Sequence, residues 1–204
     1  MFKISLTELE EVRRDPKGFR QKKEAAGPFQ GGRSIFQVLK RSIYEYHKSM
    51  DAVAAMSYLE GKLESFKSRA RCEKAVGDLQ WYIAEHRSRG WATVLRRYNI
   101  TIPLSTQYWD SLKVTGEISR IDMHPNGTYA AWLFSKGNAG NWIDELRMPI
   151  IQNAIGVEMG ARPELVHVGL YCFGDHTVNI HNFTDSQIKR AHLELEDLFR
   201  NMGF

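Results

Sequence analysis

The stretch Leu165–Phe173 constrains this chain more than any other. It is a nearly continuous apolar run, broken only by His167 and Gly169. A strand-length run without regular polar alternation has no face suited to water, so both faces must be covered. That requirement places it inside a sheet with packed layers on either side. Gly174-Asp175 then turns the chain into His176–Phe183, which reads as an edge strand.

The segments upstream supply the layers. Ser5-Leu6-Thr7-Glu8 has the form of a capping box, in which hydroxyl and carboxylate satisfy the orphan amides of a helix start. The short helix it opens is expected to stop before Pro16. Gln21 to Gly32, rich in Gly, Pro and Lys, reads as loop. From Ser34 onward Ile35, Phe36, Val38, Leu39, Ile43, Tyr44 and Tyr46 recur at helical spacing, and two further helices are expected near 50–68 and 70–87. The pattern then changes to β-branched and aromatic residues in Asn99–Leu104, Lys113–Met123 and Thr128–Ser135. His124-Pro125-Asn126-Gly127 marks a hairpin between the last two. Asn141 to Gly160 is amphipathic and reads as a helix closed by Gly160. Thr184-Asp185-Ser186-Gln187 is another capping box, opening a final helix through Leu193, Leu195, Leu198 and Phe199.

This order predicts a single α/β domain over residues 1–204, with a mainly helical section over 1–95 and an α/β core over 96–204. The buried strand follows a helix, so it is expected to join the sheet parallel to a strand of the meander, giving a mixed sheet. A chain of 204 residues can bury a sizeable core without disulfides or metal. Its two cysteines, Cys72 and Cys172, share no metal-ligand spacing and suit a reducing cytoplasm. The first residues hold no apolar segment of signal-peptide type, and no run approaches membrane-span length, so a cytoplasmic protein without membrane contact is expected. The net charge is +4, but residues 1–48 carry eleven Lys/Arg against six Asp/Glu, a net +5. A basic amino-terminal portion suits contact with a phosphate backbone; the bland alternative is a solvated face.

Five motifs in order resemble those of the PD-(D/E)XK nuclease superfamily, in its RecB-like branch. Ile4-Ser5-Leu6-Thr7-Glu8-Leu9, with Pro16 and Phe19 beyond, is similar to the family's opening S-x-S-x-L…P-x-x-F. Gly32-Arg33-Ser34-Ile35-Phe36-Gln37-Val38-Leu39 resembles G-x-x-x-H-x-x-L. Gly116 to Asp122 resembles G-x-I-D-R-I-D, and Tyr129 to Gly137 resembles y-x-i-x-D-Y-K-T-G. Arg147-Met148-Pro149-Ile150-Ile151 sits where the family has Q-L-P-L-Y. The resemblance implies a restriction-endonuclease-like α/β fold with a mixed sheet flanked by helices.

It also implies what is missing. Family members hold Mg²⁺ or Mn²⁺ through carboxylates on adjacent strands, and the metal polarises the scissile phosphate and activates water. A lysine two residues beyond the second carboxylate steadies the developing charge. Matched residue by residue, the histidine position is Phe36, the first Asp is Ser119, the second acid is Leu133 and the lysine is Ser135. Lys136 is one place late, and shifting the frame puts Phe134 at the acid position. No Asp or Glu occurs from Met123 through Ile143. The expectation is therefore a catalytically inactive relative with no cofactor.

Arg33, Lys40, Arg120, Lys136 and Arg147 lie on or beside these motifs and are the candidate nucleic-acid-binding residues. For Arg120 the structural alternative is an ion pair with Asp122 or a helix carboxylate, and for the others a surface charge. DNA or RNA and protein partners in a larger assembly are the implied partners. Two other readings stand beside this one. An active nuclease could have relocated its metal ligands to Glu117, Asp122 or Asp144 and would then use Mg²⁺ or Mn²⁺. A scaffold could touch only protein. The seven histidines are scattered without metal-site spacing, and Ser119 and Ser135 have no recognisable base, so nucleophilic catalysis lacks support. Trp132 and Leu133 read as core.

Overall fold

A computed structural model describes residues 1–26 and 34–204. Its framework is a mixed six-stranded sheet: β1 (Phe2–Ser5), β2 (Ala92–Thr101), β3 (Leu112–Met123), β4 (Tyr129–Ser135), β5 (Val166–Cys172) and β6 (Thr177–His181). The expected hairpin is present as the antiparallel β3–β4 pair, with a His124 N to Thr128 O bond of 2.8 Å across its turn. β5 lies parallel to β4, and β6 closes the edge antiparallel to β5. The α/β class and the mixed, helix-flanked sheet are thus as the sequence predicts.

Seven helices cover the sheet among the described residues: α1 (Leu9–Arg14), α2 (Pro16–Ala25), α3 (Ile35–Ser49), α4 (Ala52–Leu63), α5 (Arg69–Arg89), α6 (Arg147–Met159) and α7 (Asp185–Asn201). On one face α1, α2, α6 and α7 pack Leu9, Val12, Phe19, Ile151, Ile155, Leu195 and Phe199 against Ile121, Ala131, Val168 and Leu170. On the other, α3, α4 and α5 pack Leu39, Ile43, Leu59, Leu79 and Tyr82 against Ala130, Trp132, Tyr171 and Phe173. β5 feeds both cores, which is why its sequence is apolar on both faces apart from His167 and Gly169. Gly169 lies opposite Trp132, and a Cβ there would come within 2.2 Å of the indole ring.

Four local expectations need correction, the first being the helix expected from Asn141, which begins at Arg147 after a separate 3-10 turn at Trp142–Asp144. Pro16 ends α1 but also starts α2, because Asp15 accepts from Gly18 N at 3.0 Å as a cap and proline suits the first helical turn. Residues 21–25 are therefore helix rather than loop. Phe2–Ser5 forms a strand parallel to the start of β3, so the sheet recruits the amino terminus. β2 begins at Ala92, seven residues ahead of the expected Asn99, and the predicted division at 95/96 falls inside it.

The pairing of β3 creates a fork. Thr115 pairs with both Ser5 of β1 and Thr101 of β2, while Arg120 pairs with both Arg96 of β2 and Trp132 of β4. A strand has two edges, so β1 and β4 share the edge opposite β2 and leave residues 116–119 between them. Leu6 fills the space over Gly116, where a Cβ would meet its Cδ1 at 2.4 Å.

Strict alternation also fails at this point. Ile118 and Ile121, three residues apart, both enter the first core, as do Tyr98 and Leu95 on β2. Between the latter pair Arg97 has φ 52°, in the left-handed region. The β2–β3 register also shifts between Thr93 and Leu95, and the face parity of both strands changes within this stretch. Ser119 and Arg120, though neighbours, both meet the α3 side near His47.

Candidate functional site

The fork opens into a groove of about 650 Å³ between α3 and the β2–β3 pair. Helix α3 begins at a capping box, with Ser34 Oγ accepting from Gln37 N at 3.2 Å and Ser34 N donating to Gln37 Oε1 at 3.1 Å. Its buried stripe of Val38, Leu39, Ile43 and Tyr46 fixes the rotation that turns Lys40, Arg41 and Tyr44 to the groove. Arg96 and Arg97 enter from β2, Glu117 and Ser119 from β3, and Phe134 from β4.

The groove thus holds four permanent cations against the carboxylates of Glu45 and Glu117. Glu117 joins two of the cations, accepting from Lys40 Nζ at 2.8 Å on one oxygen and from Arg97 Nε at 2.7 Å on the other. Burial opposes its charge, but Lys40 and then Arg97 outweigh that and hold its carboxyl below the usual carboxylate range. Arg41 and Arg96 are exposed and have no carboxylate partner among the described residues. Such a surface can hold an anion at its phosphates or carboxylates.

Beneath the groove is a buried polar cluster. Arg120 and Asp122 are each 1 % exposed and ion-paired, Nη2 to Oδ2, at 2.7 Å. Arg120 also donates to Tyr82 Oη and to Tyr171 Oη, the latter at 3.3 Å, and its guanidinium lies over the Tyr82, Trp132 and Tyr171 rings. Burial works against the Arg120 charge, yet Tyr82, Asp122 and Tyr171 more than offset it and hold its pKa above that of ordinary arginine. For Asp122 the balance goes the other way. Its oxygens lack well-angled hydrogen bonds, so burial wins over Arg120 and pushes the carboxyl pKa up. His47 Nε2 lies 2.9 Å from Arg120 Nη1 and must accept there, which leaves its proton on Nδ1, 3.3 Å from Thr93 Oγ1. Burial first, then Arg120, pushes the His47 pKa down to about 2 and the neighbouring His86 down to about 4.

Of the five basic candidates, Lys40 lies in the groove. Arg120 is removed from the set, because its guanidinium is buried and committed to Asp122. Arg147 is bonded to Glu145 at 2.5 Å at the start of α6, outside the groove. Lys136 is exposed beyond the end of β4 and does not line the groove either. Arg33 lies outside the described residues. Several amino-terminal cations are also paired away from the groove: Arg13 with Glu194, Lys22 with Glu11 and Lys23 with Glu8, at 2.5–2.6 Å. The groove cations that sequence reasoning missed are Arg41, Arg96 and Arg97. Their one signal is the pair of dibasic doublets, Lys40-Arg41 and Arg96-Arg97.

The degenerate motif positions also sort by face. Ser119 lines the groove, whereas Leu133 packs into the opposite core, so the β4 residue that faces the groove is Phe134. Phe134 and Phe36 both meet Phe173, at ring-centroid distances of 5.7 and 5.8 Å, and Phe134 meets Tyr82 at 5.5 Å. Aromatic packing thus fills the space beside Ser119. Of the proposed relocated ligands, Glu117 grips two cations and Asp122 is sealed against Arg120. Asp144 stands between Trp142 and Leu146 of the opposite core. Among the described residues no three His, Cys, Asp or Glu side chains come together in a metal-holding group. No described helix is long and apolar enough to cross a membrane. Cys72 and Cys172 are free thiols.

No family model and no curated protein matches the chain. Among solved structures it is similar to one titled "Crystal structure of SSO0001". That match has 12 % identity and a TM-score of 0.33, and it covers 94 % of this chain and 85 % of the other.

Proposed function

We propose that this chain is a non-cleaving, RecB-like PD-(D/E)XK homologue that binds DNA or RNA by its phosphate backbone. It would act as a cytoplasmic subunit of a larger DNA-processing, phage or defence assembly. The observation that carries the reading is the groove at the β3 fork. Four cations line it together with Ser119 and Phe134, and the family resemblance matches Ser119 to the first acid of the nuclease motif. Arginines without a local counter-ion attract phosphates and release condensed counterions on contact, which supplies affinity without sequence readout. A serine hydroxyl and a phenyl ring offer no pair of hard anionic ligands for Mg²⁺ or Mn²⁺.

The test is incubation of the protein with labelled single- and double-stranded DNA and RNA in Mn²⁺, resolved on native and denaturing gels. Retarded but intact nucleic acid is the expected result. Arg41→Glu/Arg96→Glu should weaken binding by about tenfold or more and lower the salt slope by roughly 2. Metal-dependent fragments, abolished by EDTA, would overturn the non-cleaving reading. Absence of any binding at low salt, together with a stable protein complex, would favour a protein-only scaffold.

A further inference from the structure

We infer that Glu117 latches a phosphate subsite in the groove. Its carboxylate occupies, in the free protein, the place between Lys40 and Arg97 that a phosphate group takes on binding. This rests on the groove being a phosphate-binding surface, and it assigns the atoms that meet one phosphate and the group that competes with it.

The geometry is that of an anion clamp. Lys40 Nζ meets one Glu117 oxygen at 2.8 Å and Arg97 Nε meets the other at 2.7 Å, so two cations from different elements converge on one two-oxygen acceptor. The non-bridging oxygens of a phosphodiester present a similar two-acceptor fork. Neither cation has another carboxylate partner among the described residues, and neither oxygen of Glu117 bonds to the core. The other groove carboxylate, Glu45, is directed to Lys48 at 3.8 Å.

A second, independent feature marks the same point. Arg97 is one of three non-glycine residues with positive φ among the described residues, and its φ of 52° lies within the left-handed region that an arginine seldom adopts. From this backbone conformation Arg97 meets Glu117 at the fork. A strained backbone retained beside a charged cleft is a recognised mark of a functional position.

Magnitudes favour a latch that yields. The Glu117 side chain is 27 % exposed, Lys40 33 % and Arg97 61 %, so these are partly solvated pairs of the weak kind. A polyanion that also engages Arg41 and Arg96 gains counterion release that the carboxylate does not supply.

The experiment measures anisotropy of a labelled single-stranded oligonucleotide with wild type, Glu117→Gln, the charge-matched control Glu45→Gln, and Glu117→Gln in a Lys40→Met/Arg97→Gln background. Glu117→Gln should bind about three- to tenfold more tightly than wild type. Glu45→Gln should gain clearly less. The gain from Glu117→Gln should vanish when Lys40 and Arg97 are gone. Equal affinity of Glu117→Gln and wild type, with wild type binding, would overturn the latch and leave the nucleic-acid reading standing. An equal gain from Glu45→Gln, or a gain that survives loss of both cations, would also overturn it, since general charge then explains the effect. If no variant binds oligonucleotide, the nucleic-acid reading fails, and inorganic phosphate becomes the probe. Stronger thermal protection of Glu117→Gln than of wild type by phosphate would keep the latched anion subsite, and equal or absent protection would refute it.

Discussion

Acidification should destabilise this fold through two histidines beneath the groove. His47 and His86 are 3 % and 4 % exposed, with ring centroids 4.5 Å apart. Both are held neutral: His47 Nε2 faces the Arg120 guanidinium, and His86 Nε2 has no partner while Nδ1 lies 3.3 Å from Tyr46 Oη. Protonation would place a second cation against Arg120 in a buried cluster. The folded pKa values, about 2 and about 4, lie below the ordinary 6.5. The unfolded chain therefore binds protons first as pH falls. Stability from these groups is complete above about pH 6.5 and is lost below it, down through about pH 4 for His86 and further for His47.

Between about pH 7 and pH 5 each histidine should cost about 2 kcal/mol, or ~4 kcal/mol for the pair. Against a total of roughly 5–15 kcal/mol for a domain, that is a large share. The assay is urea unfolding followed by tryptophan fluorescence across this range, for wild type and His86→Gln. His167 and His192, whose pKa values burial also lowers, add to the same slope. The decisive quantity is therefore the difference in slope between the two proteins. His86→Gln should reduce the pH-dependent loss by about 2 kcal/mol, whatever its effect at neutral pH. A wild-type loss below about 1 kcal/mol, or an equally steep loss in the variant, would refute the reasoning.

Two further perturbations probe the same packing. Asp122→Asn leaves Arg120 charged and buried without its counter-ion and should cost about 3–5 kcal/mol in urea unfolding; a loss under about 1 kcal/mol would mean that the tyrosines alone hold the guanidinium. Gly169→Ala forces a Cβ into the Trp132 ring, which is fully buried and hemmed in by Arg120, Tyr171 and Trp91. It should cost about 1–3 kcal/mol, read as a drop in Tm of about 2–4 °C per kcal/mol, and an unchanged Tm would show that the indole moves freely.

What the sequence determined by itself were the elements whose signals are local and complete. The capping boxes at Ser5 and Thr184, the turn at His124–Gly127 and the two-faced apolar strand each carry enough information within a few residues to fix type and place. β1 was not legible, because the alternation Phe2-Lys3-Ile4-Ser5 is only four residues long and becomes a strand only when β3 offers an edge. Asp15-Pro16 carried a start signal as well as a stop signal, and only the packing of Phe19 into the core selects the start. The site was least legible. Lys40-Arg41 and Arg96-Arg97 are doublets more than fifty residues apart, and only the docking of α3 across β2 makes them one groove. The faces of β3 change alongside a stretch of β2 that holds the left-handed Arg97 and the register shift between Thr93 and Leu95. A strand has a period of two, so a single local irregularity exchanges the faces of every residue beyond it. That exchange buries Arg120 beside a half-buried Ser119. On β4 the tertiary packing turns Leu133 into a core and Phe134 to the groove, and no short-range pattern announces either.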